Sequence, residues 1–138
     1  MSADWHVRVA NADGQTVSIA VNIGLYDDAP VAHRAHVYLL TIALLRPGAD
    51  GLPDAEEIRA LDAIEAQVSS DAAAAVDLIK AGSVTGRRVR QMIFYGRPSV
   101  NFAPVVTQTT RKHPPYQFSL ISKDDPQWET YWALYPEA

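Results

Sequence analysis

The sequence predicts an α+β fold built on a mainly antiparallel sheet, and three patterns carry that prediction. Val17, Ile19, Val21 and Ile23 alternate with Ser18, Ala20, Asn22 and Gly24, the period of a strand with one buried face. Ile58, Leu61, Ile64 and Val68 recur at helical spacing. Residues 36–45 are apolar on both parities, as in a strand covered on both sides at the centre of a sheet.

Each element follows in order. Trp5 to Val9 reads as a short strand, and Asn11-Ala12-Asp13-Gly14 turns it into the Val17 strand as a hairpin. After the His36–Leu45 strand, Arg46-Pro47-Gly48-Ala49-Asp50-Gly51 breaks regular structure. Asp54 then caps a helix, Glu57 is placed to reach back three residues, and Arg59, Asp62 and Glu65 face away from its apolar stripe. This helix is expected to fray near Ser69-Ser70. The run Ala72–Ala75 suits helix or strand, and Val76–Val84 is read as a strand turning at Thr85-Gly86-Arg87 into Arg88–Tyr95, with Met92 in the core. A second helix opens at Asn101 with Pro104 in its first turn and Phe102, Val105, Val106 and Thr109 inward. Pro114-Pro115 ends it, and Tyr116, Phe118 and Leu120 alternate in a last strand.

The tail reads as a closing helix. Asp125 is its cap, Pro126 its first residue, and Trp128, Tyr131, Trp132 and Tyr135 share one face. The whole order is β-β, then β-α-β-β-α-β, then α. The middle six elements are the split βαβ arrangement of ferredoxin-like folds, with two helices on one sheet face. The aromatic tail helix is the available cover for the other.

Composition narrows function. A chain of 138 residues is read as one domain spanning 1–138. The absence of cysteine excludes disulfides, thiolate metal sites and a thiol nucleophile. No signal peptide or membrane-length apolar run is read, which makes the cytoplasm the default location and a membrane partner unexpected. A net charge of −4 argues against nonspecific nucleic-acid binding and leaves protein partners and small ligands open.

Leu52-Pro53 leading to Glu56-Glu57 and Leu61, then Ile93-Phe94-Tyr95, then Asp125-Pro126-Gln127-Trp128-Glu129-Thr130-Tyr131 ending in Tyr135-Pro136, resemble the bacterial domain-of-unknown-function family 695. The Trp5 start and the Ser18–Leu25 strand are similar too. The resemblance implies a single-domain bacterial protein without an assigned activity. Some members carry a neighbouring domain similar to a protein regulator of ribonuclease E, and no catalytic residues transfer.

Candidate sites are few. Arg87, Arg88 and Arg90 at a hairpin turn form a possible interaction surface for an acidic partner or phosphate, against the bland reading of a charged, solvated edge. An RNA reading of the same hairpin lacks the stacking aromatics, since Val, Gln or Met stand where bases would stack. His33 and His36 are three apart, a spacing that opposes their rings in an extended chain, so no metal site is read. Asp27, Asp28, Asp50, Asp54, Asp124 and Asp125 occupy turns and caps. No nucleophile elbow, phosphate-cradling loop or dinucleotide fingerprint occurs, and no cofactor is expected. The expectation is a non-catalytic binding or regulatory module working through protein contacts. The alternatives are an enzyme or ligand sensor with a pocket between sheet and tail helix, and RNA binding through the arginine hairpin.

Overall fold

The computed structural model describes residues 3–136. The strands are β1 (Trp5–Ala12), β2 (Gln15–Asn22), β3 (His36–Ala43), β4 (Ile79–Gly86), β5 (Val89–Gly96) and β6 (Phe118–Asp124). The α-helices are α1 (Ala55–Val76), α2 (Ala103–Lys112) and α3 (Glu129–Trp132), and a single 3-10 turn, Ile23–Leu25, follows β2. One six-stranded sheet runs β1-β2-β4-β5-β3-β6, antiparallel at every junction. The protein is an α+β fold.

The two parities of β3 serve two cores, as its doubly apolar sequence requires. Tyr38, Leu40 and Ile42 join Met92 and Phe94 beneath Leu61, Ile64 and Val68 of α1 and Val105 of α2. Val37 and Leu39 face the other way, with Val17, Ile19, Val21, Ile93 and Tyr95 under Trp128, Tyr131 and Leu134. The C-terminal segment therefore covers the face that the helices leave bare.

Helix α1 differs from its sequence reading in four places. It does not fray at Ser69-Ser70 but runs to Val76, where Asp77 in the left-handed region (φ 55°) donates its N–H to Ala72. Buried Val68 and Ala72 hold that extension on the core, and alanine favours helix. Strand β4 consequently starts at Ile79, later than expected. Asp54 caps as predicted, accepting from the Glu57 amide at 2.7 Å. The Glu57 carboxylate, however, does not reach back to the cap. It turns inward to accept from the Leu45 and Arg46 amides and the Tyr116 hydroxyl, at 2.7, 3.1 and 2.9 Å. Three donors at the broken end of β3 outbid one at a solvated cap, because unpaired buried groups are costly. Glu65, expected outside, is buried, and Ile58, expected inside, is 39% exposed. The helix is rolled so that its polar side overhangs the sheet.

The tail is also not the helix its spacing suggests. Only Glu129–Trp132 is helical, and Trp128 sits before it in the left-handed region at φ 56°. Asp125 still caps, accepting from the Glu129 and Thr130 amides at 2.9 and 3.1 Å. Bonds to the sheet and to the loop before β3 accompany the bend. Tyr95 donates to Asp125 at 2.6 Å, the Trp128 indole N–H to the Arg34 carbonyl at 2.8 Å, and Tyr131 to the Asn22 carbonyl at 2.8 Å. Trp128 stacks on Tyr95 with centroids 4.1 Å apart. The bend also buries Leu134 over Gly82, where an added Cβ would lie 2.2 Å from its Cδ1.

Candidate functional site: the open β1 edge and the cleft beside α1

The hairpin turn at Asp13-Gly14 fixes the chemistry of β1. Both turn residues have positive φ (52° and 81°), and the flanking pair Ala12–Gln15 sets the register Val9–Ser18, Val7–Ala20 and Trp5–Asn22. Trp5, Val7 and Val9 thus lie on the face opposite Val17, Ile19 and Val21, with the helices rather than with the tail. Neither α1 nor α2 reaches that far. Trp5, Val7 and Val9 are 37%, 69% and 72% exposed.

Their backbone is open as well. Next to a two-residue turn the flanking pair exchanges both hydrogen bonds, so alternate β1 residues, the even-numbered ones, turn their amides toward β2. Asp4 continues this phase, since its carbonyl accepts from Ile23 at 2.8 Å and its amide donates to Asn22 Oδ1 at 3.0 Å. The N–H and C=O of Trp5, Val7 and Val9 therefore point outward from the sheet edge. Among the described residues no strand pairs with these groups, and the same three residues carry exposed apolar side chains.

Between this hairpin and the overhanging side of α1 lies a cleft of about 380 Å³, walled by Val7, Ala20, Leu52, Pro53 and Ile58. Its floor is an ion network. Buried Arg90 donates through Nε to Thr85 Oγ1 at 2.8 Å and through Nη1 to Asp62 and Glu65 at 2.7 and 3.2 Å. Lys80 binds the other Glu65 oxygen at 2.7 Å and lies 4.8 Å from the centre of the Trp5 ring. The network as a whole pairs two cations with two carboxylates, Lys80 meeting Glu65 from outside the cleft lining.

The sequence-derived surface of Arg87, Arg88 and Arg90 is not one surface. Arg90 is 8% exposed and committed to the network above. Arg87 and Arg88 are exposed at the tip, both in the left-handed region (φ 54° and 73°) that a tight hairpin turn demands. Arg87 pairs with Asp13, while the Arg88 backbone bonds to Gly51 and Leu44. His36 contacts Asp124 at 2.9 Å and His33 is exposed on its own. The four tail rings divide. Trp128 and Tyr131 are fully buried and fill the space where the sequence reading put a ligand pocket, while Trp132 and Tyr135 are half-buried against Tyr26.

Buried hydroxyls carry the strongest electrostatic perturbations. Burial, with the neighbouring Glu57 carboxylate, pushes the Tyr116 hydroxyl up to about 12. Burial likewise raises Tyr95 and Tyr131, so these phenols remain donors at neutral pH. Asp125 moves the other way. Burial alone would raise it, but hydrogen bonds from Tyr95 and from the Thr130 and Glu129 amides outweigh that and hold it below its ordinary 3.8. Tyr95, Asp125 and Tyr131 are engaged in bonds that pin the tail, while Tyr116 ties Glu57 of α1 on the other face of the sheet, a structural use in both cases.

A family model described as "Family of unknown function (DUF695)" matches residues 3–135, from the open edge to the aromatic tail. The chain belongs to DUF695. The DUF695 match takes in all six strands of the sheet and the tail residues that cover it. No curated protein and no solved structure matches it.

Sequence reasoning passed over the β1 edge, although a signal was present. A two-residue Asp-Gly turn forces Trp5, Val7 and Val9 opposite Ser18, Ala20 and Asn22, so the apolar sides of the two hairpin strands conflict.

Proposed function

We propose that this protein is a small cytoplasmic bacterial binding module, non-catalytic, acting through protein contacts at the β1 edge. One observation carries the reading: Trp5, Val7 and Val9 combine backbone groups unpaired among the described residues with exposed apolar side chains. That combination suits addition of an extended segment, in which main-chain bonds give affinity and alternate side chains give selectivity. The apolar-walled cleft beside them suits an uncharged side chain of the added segment. The frame is a ferredoxin-like unit of β3, α1, β4, β5, α2 and β6 with the β1–β2 hairpin added at its β4 edge. Its strand sequence β4-β5-β3-β6 within the sheet supports this reading.

A photo-crosslinking residue placed at Val7, in cells that make the protein, tests the proposal. Adducts should form there, and should not form when the same residue replaces exposed Gln108 on α2. Equal labelling at both positions, or none at Val7, defeats it.

A further inference from the structure

We infer that the segment added at the β1 edge is the β1 strand of a second copy of this chain; the inference rests on the binding reading above and names its partner. Strand β1 lacks the usual protection of a sheet edge. Trp5–Ala12 contains no proline and no lysine, its one charged side chain, Arg8, is turned to the tail face and bonded to the Leu134 carbonyl, and outward Trp5, Val7 and Val9 are apolar. An edge of this kind pairs with something. Pairing with the opposite edge, β6, would be head-to-tail and would propagate without end, whereas pairing with its own twin about a twofold axis closes after two copies.

Symmetry and charge select the register. A twofold axis normal to the sheet keeps each face continuous, so only residues of the same parity meet. If Arg8 met Arg8, like charges would stand opposite each other. If Val7 met Val7, Asp4 would face Ala10 and His6 would face Arg8. When His6 meets His6, Asp4 faces the second copy's Arg8 and Trp5 faces its Val7, twice over by symmetry. Opposite charges and an aromatic beside a β-branched residue are the favourable cross-strand pairs.

Arg8 enters this pairing as a cation: its Nη2 donates to the Leu134 carbonyl at 2.8 Å, and a guanidinium has further N–H groups with which to meet a carboxylate. The Asp4 carboxylate is exposed and makes no ion pair among the described residues. On the other face, Val7 lines the cleft beside α1, so the second copy's Trp5 would stand at its mouth. Each cleft would gain an aromatic wall from the other chain.

Sedimentation equilibrium on the full chain decides the matter. The wild type should show a monomer–dimer equilibrium, and Val7→Lys should shift it to monomer. Asp4→Arg and Arg8→Glu should each weaken the dimer by about tenfold, because each sets like charges opposite at both symmetric positions. Mixed one to one, these two variants should associate again, since both cross-strand pairs then regain opposite charges. Asp4→Arg alters an exposed residue, so folding of that variant is not in question, and the mixing step reads register rather than stability. A wild type that stays monomeric to about millimolar concentration, the weak end of specific binding, overturns the inference. A dimer indifferent to Val7→Lys, or a mixture that fails to associate, overturns it as well. Adducts from Val7 to other proteins alone would remove the second copy and leave the binding reading standing. Absence of any adduct would remove both.

Discussion

The two ends of this chain are both aromatic and apolar, yet one is sealed and the other open. At the C-terminus, Trp128 and Tyr131 are wholly buried and every polar handle on them has a partner. At the N-terminus, Trp5, Val7 and Val9 on the sheet's outermost strand are exposed, and Val7 lines a cleft instead of a core. Apolar content is similar, so composition does not separate them. What differs is the supply of covering elements. The face behind β2, β4, β5 and β3 receives the tail, whereas α1 and α2 stop short of β1. An exposed apolar row left uncovered by the described residues is the surface on which the proposed docking of another chain relies.

Breaking the sealed end should cost most. Trp128→Ala is expected to destabilise by about 3–5 kcal/mol, the range for emptying a large buried aromatic site. Chemical denaturation measures it. A loss below about 0.5 kcal/mol, typical of surface changes, would mean the tail is not what closes that face.

Asp125→Asn comes next, at about 1.5–3 kcal/mol near neutral pH, the range for hydrogen bonds to a charged acceptor. The same residue gives an acid signature. Its folded pKa lies below the unfolded value near 3.8, so its contribution is complete above that value and disappears as pH falls through the folded one. Stability profiles of wild type and Asp125→Asn should therefore converge on acidification. Parallel profiles down to unfolding would show that the carboxylate is not held as described.

Trp5→Ala is the direct counterpart of Trp128→Ala and should cost only about 0.5–1 kcal/mol, chiefly its contact with Lys80. A cost as large as that at Trp128 would erase the contrast between the ends. Smallest of all is the folding effect of Val7→Lys, expected within about 0.5 kcal/mol of wild type in denaturation of the monomer. A larger destabilisation would mean that Val7 belongs to the core.

Much of the fold could be read from the residues because local periodicity forces it. The alternation in β2, the two apolar parities of β3, the Asp54 cap and the proline stop after α2 all appear where physical chemistry puts them. Failures cluster where a polar or aromatic side chain found a distant partner. Glu57 left its own cap for amides beyond β3, Glu65 turned in to meet Arg90 and Lys80, and the tail gave up helical turns for bonds to Tyr95, Arg34 and Asn22. The arginine hairpin lost Arg90 to the same network. No window of sequence contains both halves of such a bond.

By itself the sequence determined which segments become strands and helices, that β3 must be covered twice, and, through the Asp13-Gly14 turn, that the apolar sides of β1 and β2 oppose each other. Only the tertiary structure decided which of those sides is closed. Hydrophobic patterning states that a surface should leave water, but the reach of α1 and the fold of the tail determine whether this chain has anything left to cover it. Here the account closes behind Trp128 and stays open at Trp5.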